Sequence, residues 1–90
     1  MTMPHNPGQA VRAALRRCWA ELLEVPEDSV TDASNFFADG GDSLLAIELV
    51  STVSDTVGAE VPIDLLFLDA TFGAVAEGTV EAVSRGGASR

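Results

Sequence analysis

Lysine and tyrosine are absent from this chain of 90 residues, which holds one cysteine, one histidine and one tryptophan. A single thiol closes no internal disulfide, and small secreted domains depend on several, so the expected compartment is the cytoplasm. Apolar runs are short: none exceeds four residues, as at 65–68, against the ~18 to 20 that a membrane span requires. No membrane partner is expected. Basic residues are few and sit near the ends, with Arg12, Arg16 and Arg17 on one side and Arg85 and Arg90 on the other. Between Cys18 and Ser84 stand fourteen carboxylates and no Lys or Arg, within a net charge of −9. Such a stretch repels phosphate backbones, which disfavours nucleic acid, and attracts proteins with basic patches.

What is present reads as helix. Val11, Ala14, Leu15, Cys18, Trp19, Leu22 and Leu23 repeat at helical spacing, with Arg12, Arg16, Arg17 and Glu21 opposite. Cys18 and Trp19 are core candidates on that stripe. Pro26 ends the pattern. The connection over 26–41, rich in Asp, Ser and Asn, is too long to lie structureless in so small a domain unless pinned, and Val30, Phe36 and Phe37 are its candidate anchors, with Phe36 inward. A second helix is expected over 43–57, capped by Asp42 and stopped by Gly58. Its Ala46, Leu49, Val50, Val53 and Val57 share one face, whereas Leu44, Ile47 and Ser51 lie on another beside Ser43. Residues 61–68, interrupted by Pro62, could form a short strand by composition, and Asp64, Leu65 and Leu66 suit one helical turn equally well; the turn is the expectation. Thr71 is a candidate N-cap for a last helix carrying Phe72, Val75, Ala76, Val80 and Val83, in which Gly73 and Gly78 each cost ~1 kcal/mol of intrinsic stability. The expected fold is all-α, a three to four helix bundle with a long loop between helices one and two. Its folded span is 9–84, between disordered tails at 1–8 and 85–90.

The informative stretch runs Asn35-Phe36-Phe37-Ala38-Asp39-Gly40-Gly41-Asp42-Ser43-Leu44-Leu45-Ala46-Ile47-Glu48-Leu49-Val50 and places a hydroxyl at the start of an amphipathic helix. The plainest reading is a turn followed by a helix cap, which leaves Leu44 and Ile47 unexplained. A phosphate cradle would recruit Lys or Arg, and Asp39 and Asp42 stand there instead. Gly41-Asp42-Ser43-Leu44 matches the short signature of the GDSL esterases, in which the serine is a nucleophile. Activating that serine requires a base, and the sole candidate is His5 in the amino-terminal tail. An EF-hand loop lacks its alternating ligands and closing Glu, and Cys18 with His5 makes no zinc set, so no metal site is expected.

Phe36-Phe37 followed by Gly40-Gly41-Asp42-Ser43-Leu44-Leu45-Ala46 resembles the peptidyl carrier proteins of the acyl carrier superfamily, over about 9–84. The resemblance implies that Ser43 is the attachment point for 4′-phosphopantetheine, donated from coenzyme A by a phosphopantetheinyl transferase with Mg²⁺. The arm's thiol then carries an aminoacyl or acyl thioester. An adenylating or acyl-activating enzyme would load it, and condensing, tailoring or thioesterase enzymes would receive it. The chain itself is then no enzyme, because base and metal reside on the transferase. In this reading Gly40 and Gly41 keep bulk from the approach to Ser43, and Asp42 flanks it. Leu44 and Ile47, with Ser51 beside them and Asp39, Asp42 and Glu48 around, form a small docking patch. Carriers embedded in large synthetases often show Arg or Gln where this chain has Glu48, and Pro where it has Ala70. That difference points to a free-standing, type II carrier of nonribosomal peptide or hybrid biosynthesis. Two alternatives remain open: an acidic helical adaptor without covalent modification, and a small GDSL-type hydrolase.

Overall fold

Four α-helices carry the chain in the computed structural model, which describes the backbone of residues 7–88 and the side chains of 8–85. They are α1 (Pro7–Leu23), α2 (Ser43–Val57), α3 (Asp64–Leu68) and α4 (Phe72–Ala88), with a 3₁₀ turn at Glu27–Ser29 and no strand among the described residues. The all-helical expectation and the long first loop are both found. Two boundaries differ: α1 begins at Pro7 and α4 continues through Arg85 to Ala88, so Gly8 and residues 85–88 are helical rather than tail. Proline suits the first position of a helix, where its missing N–H has no partner to lose. His5 and Arg90 lie outside the described residues.

Three aromatic rings organise the core. Trp19 of α1 is fully buried and meets Phe36 of the first loop edge-on at 5.2 Å and Phe72 of α4 at 5.3 Å. Around them pack Leu15 and Cys18 from α1, Ala46, Leu49 and Val53 from α2, Leu66 from α3, and Val75 and Ala76 from α4. The guanidinium groups of Arg12 and Arg16 lie over the Phe72 ring at 5.4 and 5.0 Å from its centroid, so the basic face of α1 also roofs this cluster.

The long loop is pinned as its length demands. Val30 and Phe36 are buried and Phe37 is half-buried. Phe36 N–H donates to Ala70 O at 2.9 Å, which ties the loop to the α3–α4 linker. In return the loop caps α4: Phe72 N–H donates to Ser34 O at 2.8 Å and Gly73 N–H to Asp32 O at 3.0 Å. Thr71 does stand immediately before α4, but its hydroxyl donates to Asp69 Oδ1 at 2.9 Å instead of capping. The carbonyls of a distant loop have taken over the first N–H groups of that helix. Gly73 and Gly78 of α4 have tertiary reasons as well. A methyl at Gly73 would lie 3.2 Å from Asp32 Cβ, and one at Gly78 would lie 2.7 Å from both Leu65 methyl carbons.

Candidate functional site

The approach to Ser43 is built by a short run of side chain to backbone bonds. Asn35 Oδ1 accepts the N–H groups of Phe37 at 3.0 Å and Ala38 at 2.9 Å, curling the chain back, and Asp39 N–H donates to Asn35 O at 2.9 Å. Gly40 then takes φ +120°, a backbone conformation open to glycine, with empty space where a Cβ would stand. Gly41 is different: its N–H donates to Phe36 O at 2.8 Å, and a Cβ on it would run into the Phe36 ring. Gly40 thus has open space where a side chain would stand, while Gly41 has the core behind it.

Asp42 is the N-cap of α2. Its Oδ1 accepts the Leu45 N–H at 2.9 Å and its carbonyl accepts the Ala46 N–H at 2.8 Å, so its carboxylate serves the helix. Ser43 is the first residue of α2, exposed, and its hydroxyl has no partner among the described residues. The N–H groups of Ser43 and Leu44 are likewise unpaired among those residues, at the positive end of a helix of 15 residues. This donor set suits a phosphodiester on Ser43 Oγ.

Along α2 the buried face carries Ala46, Leu49 and Val53, and the opposite face presents Ser43, Leu44, Ile47, Glu48 and Ser51, all exposed. Leu44 is 68% exposed and Ile47 54%, so both are surplus to the core as their spacing predicts. Asp39 is exposed on the loop. Two further apolar residues escape the sequence reading: Phe67 and Leu68 of α3, 58% and 81% exposed. Phe67 stacks on Phe37 with centroids 6.0 Å apart and planes at 8°, so α3 is tied to the loop before α2 through rings. Of the four large apolar side chains in this helix of five residues, Leu66 is the buried one.

A serine nucleophile would require a base at Ser43, and none of the described residues places one there; His5 lies outside them. The all-helical fold also departs from the longer α/β chains of the GDSL esterases. The family profile for the phosphopantetheine attachment site matches residues 13–78. The chain belongs to that carrier family. Members carry a covalently attached 4′-phosphopantetheine, and the carrier domains themselves are non-catalytic. This carrier is 40% identical to malpibaldin synthetase of Mortierella alpina over 72 residues, 80% of its own length and 1% of that protein. It is 36% identical to surfactin synthase subunit 1 of Bacillus subtilis over 76 residues, 84% of its length and 2% of the relative. Against a highly reducing polyketide synthase of Aspergillus terreus the identity is 37% over 70 residues, 78% of the carrier and 3% of the synthase. The carrier thus spans a few hundredths of the length of the relatives it matches. Among the described residues no helix is long and apolar enough to cross a membrane.

Proposed function

We propose that Ser43 bears the arm and that the loaded carrier passes aminoacyl or acyl thioesters between biosynthetic enzymes. One observation supports this above the others: within the matched segment, an exposed hydroxyl without a partner stands at the first residue of α2, framed by Gly40, Gly41 and Asp42. In the transfer, Ser43 Oγ forms a bond to the pantetheine phosphorus of coenzyme A and the pyrophosphate linkage breaks. Adenosine 3′,5′-bisphosphate leaves, and the hydroxyl proton goes to a base on the transferase. The arm then supplies a thiol for thioester chemistry. What this chain contributes is position: the Asp42 cap and the buried face of α2 hold the hydroxyl outward, and the unpaired N–H groups of Ser43 and Leu44 face the new phosphodiester.

Leu44, Ile47 and Ser51 on α2, with Asp39 and Glu48 at the rim, form the surface on which the transferase, the adenylating enzyme and the condensing, tailoring or thioesterase enzymes dock in turn. A small apolar patch ringed by carboxylates supports brief contacts, which serial exchange requires. The chain performs no catalysis of its own in this scheme. The acidic Glu48 favours a free-standing type II carrier working in the cytoplasm, loaded in trans.

Incubation with coenzyme A, Mg²⁺ and a promiscuous phosphopantetheinyl transferase is expected to add one arm per chain, read by intact mass. Ser43→Ala is expected to keep the apo mass. An arm retained after that substitution would remove the assignment, and ester turnover abolished by it would restore the hydrolase reading.

A further inference from the structure

Gly41 is the point at which the attachment loop touches the core. A methyl added there would stand 2.4 Å from Phe36 Cδ2 and Cε2 and 2.8 Å from Phe36 O. Neither atom set yields easily. The Phe36 ring is fully buried and held edge-on against Trp19, and the carbonyl oxygen belongs to a backbone whose own N–H is tied to Ala70. Gly40, one residue earlier, has open space where its Cβ would stand. Beyond Gly41 only Asp42 intervenes before Ser43, and Asp42 is the residue that caps α2. Any shift of Gly41 is therefore delivered to the first turn of the helix. The body of α2 does not follow, because Ala46, Leu49 and Val53 lock it into the core.

We infer that Phe36 is a positioning residue for arm attachment: through its contact with Gly41 it sets where the Ser43 hydroxyl stands relative to the docking face of α2. The inference rests on the reading of Ser43 as the attachment residue. It separates two quantities that a simple loss of folding would move together. Docking uses Leu44, Ile47 and Glu48, whereas the chemical step needs Ser43 Oγ in line with the phosphorus, and misplacement by about 1 Å costs up to about a hundredfold in rate.

The test follows arm addition by intact mass over a range of apo-carrier concentrations, giving kcat and KM, alongside thermal melting by helical circular dichroism. Gly41→Ala is expected to lower kcat about ten- to a hundredfold while KM stays within about twofold. Phe36→Leu combined with Gly41→Ala withdraws the ring edge and is expected to regain kcat several-fold over Gly41→Ala, even though it melts at a lower temperature. Activity and stability then move in opposite directions, which a purely structural role does not produce. A wild-type kcat in folded Gly41→Ala, a loss confined to KM, or no recovery in the double variant overturns the inference. Should Gly41→Ala not fold, Phe36→Leu alone is compared with wild type: a lower kcat at an unchanged KM supports the inference and a wild-type kcat overturns it. An unmodified wild type refutes the Ser43 assignment, and the inference with it, whereas a modified wild type with an indifferent Gly41→Ala refutes the inference alone.

Discussion

Cys18 shows how a single side chain reports on the fold and on the arm at once. It is 8% exposed on the inner stripe of α1, and burial pushes its pKa above the ordinary thiol range, with Glu21 adding to the rise and Arg17 opposing it. The folded chain therefore keeps this proton at a pH where the unfolded chain has lost it. Stability associated with the thiol is fully present below the ordinary thiol pKa, and declines as pH rises from about 8.5 toward the raised value. Urea midpoints are expected to fall over that alkaline range, and Cys18→Ala is expected to flatten the slope; an unchanged slope would show that the thiol is not its source. The same burial shields Cys18 from thiol reagents in the native state. Arm attachment should accordingly introduce one fast-reacting thiol where the apo chain shows none.

At the scale of elements, α2 and α3 divide their apolar residues between the core and the surface. Ile47→Ala and Leu68→Ser are each expected to leave the melting temperature within about 4 °C of wild type, since exposed substitutions rarely exceed about 0.5 kcal/mol. Transfer to a partner enzyme should weaken several-fold, measured with the arm already attached. A large drop in melting temperature would place these side chains in the core instead. The α2 half of this surface is readable from sequence because Leu44 and Ile47 fall off the stripe formed by Ala46, Leu49 and Val53. The α3 half is not, because 65–68 is unbroken apolar sequence in which no polar residue marks the outer side. Helix existence was readable throughout from spacing and from Pro26, Asp42 and Gly58. Contacts between residues far apart in the chain were not: Gly41 against Phe36, Gly78 against Leu65, and the Ser34 and Asp32 carbonyls that cap α4 in place of Thr71 all depend on tertiary packing, which local pattern does not encode.

Across the whole molecule the described basic residues are tied to neighbours while the carboxylates greatly outnumber them. Arg12 pairs with Asp32 and Arg17 approaches Glu27 at 4.0 Å, so both link α1 to the segment that follows it, and Arg85 lies 3.5 Å from Glu81 within α4. Pairs this exposed add little stability. The acidic excess acts over a longer range, drawing in basic partners and repelling itself. Raising ionic strength is expected to lower kcat/KM for arm addition several-fold while raising the melting temperature. A flat salt profile for arm addition would remove electrostatic steering from the account. These opposite responses follow from one charge distribution, screened in two settings: between molecules, where it attracts, and within the chain, where it repels.

With no tyrosine in the chain, the indole of Trp19 is its one strong near-ultraviolet emitter, and it is wedged between Phe36 and Phe72. Phe36 in turn stands where a Cβ on Gly41 would fall, two residues from Ser43. The molecule thus carries a fluorophore in ring contact with the residue beneath that loop, so a shift of the loop is expected to change its emission without any label.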